Sequence, residues 1–158
     1  MVWLKNKIIL SGIIFLAIFL IVISIICVIN KNEKANSFKQ IKINDKIITV
    51  EVASSLYSQY LGLSNRTSLC SDCGMLFIFP EKQKGDFVMR DMNFSLDLIF
   101  INDNKIVAIY DKLVPEGSKP INSYRSIEPI DMALELAGGY SQQNNIQVGD
   151  QIEFSDSN

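Results

Sequence analysis

Histidine is absent from all 158 residues, and this excludes more chemistry than any motif in the chain supplies. Without imidazole there is no Ser-His or Cys-His nucleophile pair, no histidine general base and no histidine ligand for a catalytic zinc. Acid–base work falls instead to Asp, Glu, Tyr or Lys. Cysteine is almost as scarce. Of the three cysteines, Cys27 lies in an apolar run, which leaves only Cys70 and Cys73 in the polar part of the chain. Two thiolates without histidine cannot complete a structural zinc site. Positive charge is short as well: beyond residue 35, 11 basic residues stand against 16 acidic ones, a net charge of −5. An acidic domain repels phosphate, so no nucleic-acid partner is expected. Repeats and low-complexity segments are also missing.

What the chain does have is one long hydrophobic run. Ile8 to Ile29 carries no charged side chain, and as a helix rising ~1.5 Å per residue it would extend roughly 33 Å, the thickness of a bilayer core. A cleaved secretory signal has a shorter core and ends in small residues. Neither feature is present here, and Ile26 is too bulky beside Cys27 to favour lipoprotein processing and lipidation there. The expectation is therefore an uncleaved transmembrane signal-anchor over residues 1–30, a polar tether over 31–37 and one water-facing domain over 38–158, the size of a single core. Lys5 and Lys7 on one flank are balanced by Lys31 and Lys34 on the other, so charge alone does not orient the anchor.

From Phe38 onward short apolar runs alternate with turn residues. Gln40–Ile43 and Lys46–Ala53 flank Asn44-Asp45, which suits a tight hairpin. Ser54 or Ser55 can cap a short helix carrying Leu56, Tyr57, Tyr60 and Leu61 and ending at Gly62. Met75–Phe79, stopped by Pro80, has the composition of a strand buried on both faces. Asp86–Arg90, Leu96–Ile101 and Lys105–Leu113 follow as strands, and Val114–Tyr124 is a surface loop. Met132–Leu136 fits helix or strand, Tyr140–Asn145 suits one helical turn, and Gln151–Phe154 is a last strand. One helix among about eight strands predicts a mainly β domain, barrel-like or sandwich, following one transmembrane helix.

The chemistry-bearing residues are few. Cys70-Ser71-Asp72-Cys73 lacks the following helix that lowers a thiol pKa in redox enzymes, so a structural disulfide is the first expectation, ahead of free thiols, a redox role or a metal. Asp97 stands inside Leu96-Asp97-Leu98-Ile99-Phe100-Ile101, where an unpaired carboxylate would cost several kcal/mol. Arg66, Arg90 and Arg125, the only arginines, are its natural partners. Asp97 with an arginine forms either a structural ion pair or the floor of a polar pocket. Met75, Met89 and Met92 suit core filling better than copper ligation, and Tyr124-Arg125-Ser126 offers either an anion site or a loop anchor.

Taken in order, several segments resemble one family, domain of unknown function 192. They are Gly62-Leu63 with Arg66, Gly74-Met75-Leu76-Phe77-Ile78-Phe79, Phe87-Val88-Met89, Leu96-Asp97 with Phe100-Ile101, Tyr124-Arg125-Ser126, Leu134-Glu135-Leu136 with Gly139, and Gly149-Asp150. The chain departs from the family at Ser64, Asp91-Met92 and Ser95, and the cysteine pair is not part of the pattern. The resemblance covers about Ile48 to Ile152. It implies a compact β-rich domain, often exported in bacteria, with a strand at Leu134–Leu136 and no settled activity.

The functional expectation is a single-pass bacterial membrane protein, anchored through Ile8–Ile29, whose domain outside the cytoplasm binds a small anionic ligand or an envelope protein. Arg66, Asp97, Tyr124 and Arg125 are its candidate binding residues, and neither a cofactor nor a metal is expected. The alternatives are a histidine-free hydrolase or transferase using Asp97 or Asp91 with an arginine, and a thiol redox protein acting through Cys70 and Cys73.

Overall fold

The computed structural model describes residues 15–24 and 38–155. The chain divides into two units, Met1–Ala35 and Asn36–Asn158. In the first, residues 15–24 form a helix, α1. Among the described residues no helix is long and apolar enough to cross a membrane. The remainder of the expected anchor, with Cys27 and all but Phe38–Ser155 of the expected domain and tether, lies outside the described residues.

The second unit is built on a seven-stranded sheet in the order β6-β5-β8-β3-β2-β1-β9. Its strands are β1 (Phe38–Ile43), β2 (Lys46–Ala53), β3 (Cys73–Gln83), β5 (Leu96–Asn102), β6 (Lys105–Leu113), β8 (Ile130–Ala137) and β9 (Ile152–Ser155). Only β2 and β3 run parallel, which requires a crossover, and this carries α2 (Leu56–Leu61). The sheet curls into a half-barrel. At one end its two edges meet: the Ile106 N–H donates to the Asp150 carbonyl at 2.9 Å and the Ile152 N–H to the Asn104 carbonyl at 2.8 Å. Closing the sheet there removes part of the exposed edge that invites strand-to-strand association.

Alternation along the strands fills two cores. Ile41, Val50, Leu76, Ile99, Ile101 and Leu134 pack inside the curl. Met75, Phe77, Leu98, Phe100 and Ala133 point the other way, into a second cluster with Leu63, Met89 and Met92. This second core is covered in part by a small ribbon of β4 (Asp86–Phe87) with β7 (Tyr124–Arg125), whose Phe87 and Tyr124 pack against it. A chain of rings runs through it, Phe77 to Phe87 at 5.1 Å, Phe100 at 5.7 Å and Tyr110 at 5.9 Å, ending at Tyr124 5.5 Å further on. Such edge-to-face and tilted pairs add to the burial of their area.

Three sequence expectations change. Pro80 does not end β3, because the β3–β8 register shifts between Ile78 and Gln83, and at such an irregularity the missing proline N–H leaves no ladder bond unmade. Asp86–Arg90 is a strand only as far as Phe87, after which Arg90 makes a single bridge to Glu116. Tyr124–Arg125, expected in loop, forms β7 by pairing with β4. Met132–Leu136 is strand, inside β8.

β3 lies so close to β8 that a Cβ at Gly74 would stand 2.6 Å from the Glu135 carbonyl oxygen and 2.7 Å from Leu136 Cδ2. Gly74→Ala should therefore cost about 2–3 kcal/mol through forced separation of the two strands. Urea denaturation of the full chain checks this, and an unchanged midpoint would show that the strands part without cost.

Candidate functional site

A depression of about 440 Å³ lies between α2 and the outer face of the sheet, within the range of small-molecule sites. Leu61, Leu63, Phe77, Phe87 and Met92 give it apolar walls, Glu135 is on its floor, and Lys84, Asp86 and Arg90 are polar contributors. Each part has a local cause. Ser55 caps α2 in a capping box, accepting from the Ser58 N–H at 3.1 Å while the Ser58 hydroxyl accepts from the Ser55 N–H. Gly62 ends α2 at a positive φ of 53°, a conformation that suits glycine, and a Cβ there would lie 3.8 Å from Glu135 Oε2. The missing side chain leaves the floor open.

Glu135 follows from strand register. Leu134 and Leu136 turn into the inner core, so alternation sends Glu135 to the outer face, in one row with Met75 on β3 and Glu51 on β2. The residue is 8% exposed and its Oε2 has no hydrogen-bond partner among the described residues. Burial pushes its carboxyl up to about 8, against an opposing pull from Arg66. At neutral pH it is therefore mostly protonated, and offers both a hydrogen-bond donor and an acceptor. Arg66 itself pairs with Glu51 at 2.6 Å. Arg90 lies 4.1 Å above the Tyr60 ring and donates to the Tyr60 carbonyl at 2.7 Å, and Ser64 Oγ donates to the Arg90 carbonyl at 2.8 Å.

The expected pocket around Asp97 is not formed. Asp97 is fully buried, but no arginine meets it. Its Oδ1 accepts from the Lys112 N–H at 2.9 Å and the Gly139 N–H at 2.7 Å, and its Oδ2 from the Ser141 N–H at 2.8 Å. Burial raises its carboxyl, but these backbone bonds together outweigh that and hold it below the usual carboxylate range. They also cap α3 (Tyr140–Gln143), whose N-cap Gly139 has no side chain to do so, which makes Asp97 a structural anchor. Arg125 is on the surface, paired with Asp86 at 3.0 Å, and Tyr124 ends the ring chain, its hydroxyl pushed up by burial and by the Glu116 charge. Asp91 has a φ of 53° and takes its place through backbone bonds to Asn65, Glu116 and Gly117. Of the four expected binding residues, only Arg66 stands beside the cleft group Glu135.

Cys70 and Cys73 are joined in a disulfide with a Cα–Cα distance of 5.2 Å. Cys73 opens β3 rather than a helix. The loop it closes holds Asp72, whose Oδ1 accepts from the Tyr140 hydroxyl at 2.7 Å. The bridge thus steadies a second contact to α3.

Sequence reasoning passed over Glu135, although the signal that singled out Asp97, a carboxylate inside an apolar strand, is present in Met132-Ala133-Leu134-Glu135-Leu136-Ala137. Arg90 carried no distinguishing signal, because its position on Tyr60 depends on the crossover that places α2.

Comparison with known proteins adds the following. The family model DUF192, described as uncharacterized ACR, matches residues 39–154. A solved structure from Sinorhizobium meliloti 1021, described as a candidate transcription regulator, is similar with a TM-score of 0.71 at 27% identity, covering 77% of this chain and 97% of that one. A Novosphingobium aromaticivorans DSM 12444 protein of unknown function gives 0.70 at 25% identity, covering 77% and 88%. No curated protein matches the chain.

The two carboxylates predict opposite pH behaviour. Asp97, held low when folded, contributes stability that is complete above its ordinary value of 3.8 and is lost as pH falls through the folded value. Asp97→Ala, which orphans three N–H groups, should cost about 3–5 kcal/mol at neutral pH. Glu135, held high, contributes stability that is complete below its ordinary value of 4.5 and is lost as pH rises to about 8. Glu135→Gln should remove that decline. Denaturation of the full chain across the pH range measures both, and a decline that persists in Glu135→Gln would assign it to other groups.

Proposed function

The chain belongs to the domain of unknown function 192 family, and from the cleft at Glu135 we propose that its domain is a binding module for a small molecule, held at a bacterial membrane by residues 1–30. One observation carries the proposal: a cavity of about 440 Å³ has a buried carboxyl oxygen without a partner on its floor. A buried polar atom left unsatisfied costs stability, and a hydrogen bond from a ligand in the cleft that Glu135 lines would compensate it. The uncharged run Ile8–Ile29 supports anchorage. The disulfide supports a domain outside the cytoplasm, since such bridges persist in oxidising compartments. With the bridge closed and no helix behind Cys73 to activate a thiol, a dithiol redox function has little support.

A second function is favoured by one specific observation. Glu135 is pushed up to about 8, which makes it the candidate general acid or base of a histidine-free hydrolase or transferase, the role first expected of Asp97 or Asp91. Binding is preferred, because no described nucleophile lines the cleft with a base beside it to activate it. The Sinorhizobium protein's description as a regulator is not carried over to contact with DNA, since this domain has a net charge of −5.

Screening a fragment library by ligand-observed NMR against the full chain tests the proposal. Val88, exposed at the lip of the cleft, can be enlarged without disturbing either core. Val88→Trp should weaken cleft-binding fragments by about tenfold, while Glu153→Gln, at an exposed position on β9 outside the cleft lining, leaves them unchanged. If no fragment responds to Val88→Trp, the cleft is not a binding site.

A further inference from the structure

On the basis that the cleft binds a small molecule, we infer that its ligand is an apolar or aromatic monocarboxylate, its carboxylate held by the Arg90 guanidinium and the Glu135 carboxyl and its body laid against Phe77, Phe87 and Met92.

The local charge balance is the first ground. The domain as a whole is acidic, yet the carboxylates near the cleft are already engaged: Glu51 by Arg66 at 2.6 Å and Asp86 by Arg125 at 3.0 Å. Arg66 and Arg125 thus each hold a carboxylate, whereas Arg90 holds only a ring face and a backbone carbonyl. One N–H of five is committed there, and the remaining fork matches a carboxylate bidentately. Lys84 adds a second positive charge to the lining. An acidic protein has in this way a cleft with two cations not neutralised by an ion pair among the described residues.

Preorganisation is the second. The guanidinium lies 4.1 Å from the Tyr60 ring, and Arg90's own carbonyl is held by Ser64 Oγ at 2.8 Å. A flexible side chain fixed in advance loses less entropy when it binds. The third ground is Glu135. Ionised, a carboxylate on the floor would repel an anion. Burial keeps it mostly protonated at neutral pH, so its O–H can donate to a ligand oxygen, and an O–H···O⁻ bond is among the stronger kinds. The charged groups around it are Glu51 and Arg66, with Lys84, Asp86 and Arg90 in the same lining. Beyond the polar end the walls are aromatic and aliphatic, which selects a body without polar groups of its own.

Three probes of one shape test the class: 4-phenylbutyrate, 4-phenylbutyramide and 4-phenylbutylamine. Binding is read from the backbone amide resonances of Gly62 and Gly85, both in the cleft lining, so that partition of a probe into detergent around the full chain is not scored. The carboxylate should bind about tenfold more tightly than the amide and more tightly still than the amine. Arg90→Gln should lower carboxylate affinity by about tenfold and amide affinity by less than about twofold. An equal loss for both probes would make Arg90 a brace for α2 and overturn the inference. Amide or amine binding as tight as the carboxylate overturns the ligand class while leaving the cleft a binding site. If none of the three shifts either glycine, the class is wrong, and the fragment screen with Val88→Trp decides separately whether the cleft binds anything.

Discussion

The strands β3, β5 and β8 are covered on both faces, by the core inside the curl and by the ring-lined core outside it. A polar side chain placed on their buried stretches leaves water and has to be satisfied by the protein or by something that enters it. Two buried carboxylates fall on these strands, Asp97 and Glu135, and the fold treats them differently. Asp97 reaches the inner side near the strand end, where the turn into α3 presents the Gly139 and Ser141 N–H groups and β6 presents that of Lys112. Glu135 emerges on the outer side in mid-strand, where the neighbouring groups are the rings, Met75 and the Glu51–Arg66 pair. One carboxylate is held charged and the other neutral, and the difference comes from the number of fixed donors each meets.

The same comparison divides the molecule into a part that is braced and a part left open. α3 is fixed from two directions, by Asp97 through its first amides and by Asp72 through Tyr140, and the disulfide stiffens the loop that supplies Asp72. The segment after β4 is stitched backbone to backbone, with Asp91 giving and receiving bonds with Glu116, Gly117 and Asn65. Around the cleft the fixing falls on Arg90 and on the cap of α2, while the floor has an unpaired oxygen. A capped α2 and a stacked Arg90 beside an unsatisfied oxygen are what the proposed binding function would use.

Much of this was legible in the residues. The Asn44-Asp45 hairpin, a cap at Ser54 or Ser55, the Gly62 stop and the apolar strands all follow from local chemistry, and the structure takes Ser55 of the two serines. Pro80 and the Asp86–Arg90 segment misled for the opposite reason: the register shift of β3 on β8 and the partner of β4 are set by residues about forty to fifty positions away, which no local window contains. The site was half visible. The rule that a carboxylate in an apolar strand needs a partner was right for Asp97 about the need, but wrong about the partner, because backbone amides carry no sequence signature. Applied to Glu135, the rule would have found the floor of the cleft.

An ion pair would have been the simplest way to keep a glutamate on β8, and Arg66 is near enough to lower the pKa of Glu135. Arg66 is instead engaged by Glu51, in the same row two strands away, so the field reaching Glu135 is that of a cation already paired. This leaves burial as the larger influence, and the carboxyl stays protonated. A glutamine or leucine would fill the same volume without the cost of a titrating group whose stabilising effect is lost between pH 4.5 and about 8. The acid gains something over those residues only if an acidic O–H, a stronger donor than an amide N–H, is put to use. Within this fold the place to use it is the cleft that Gly62 leaves open above it.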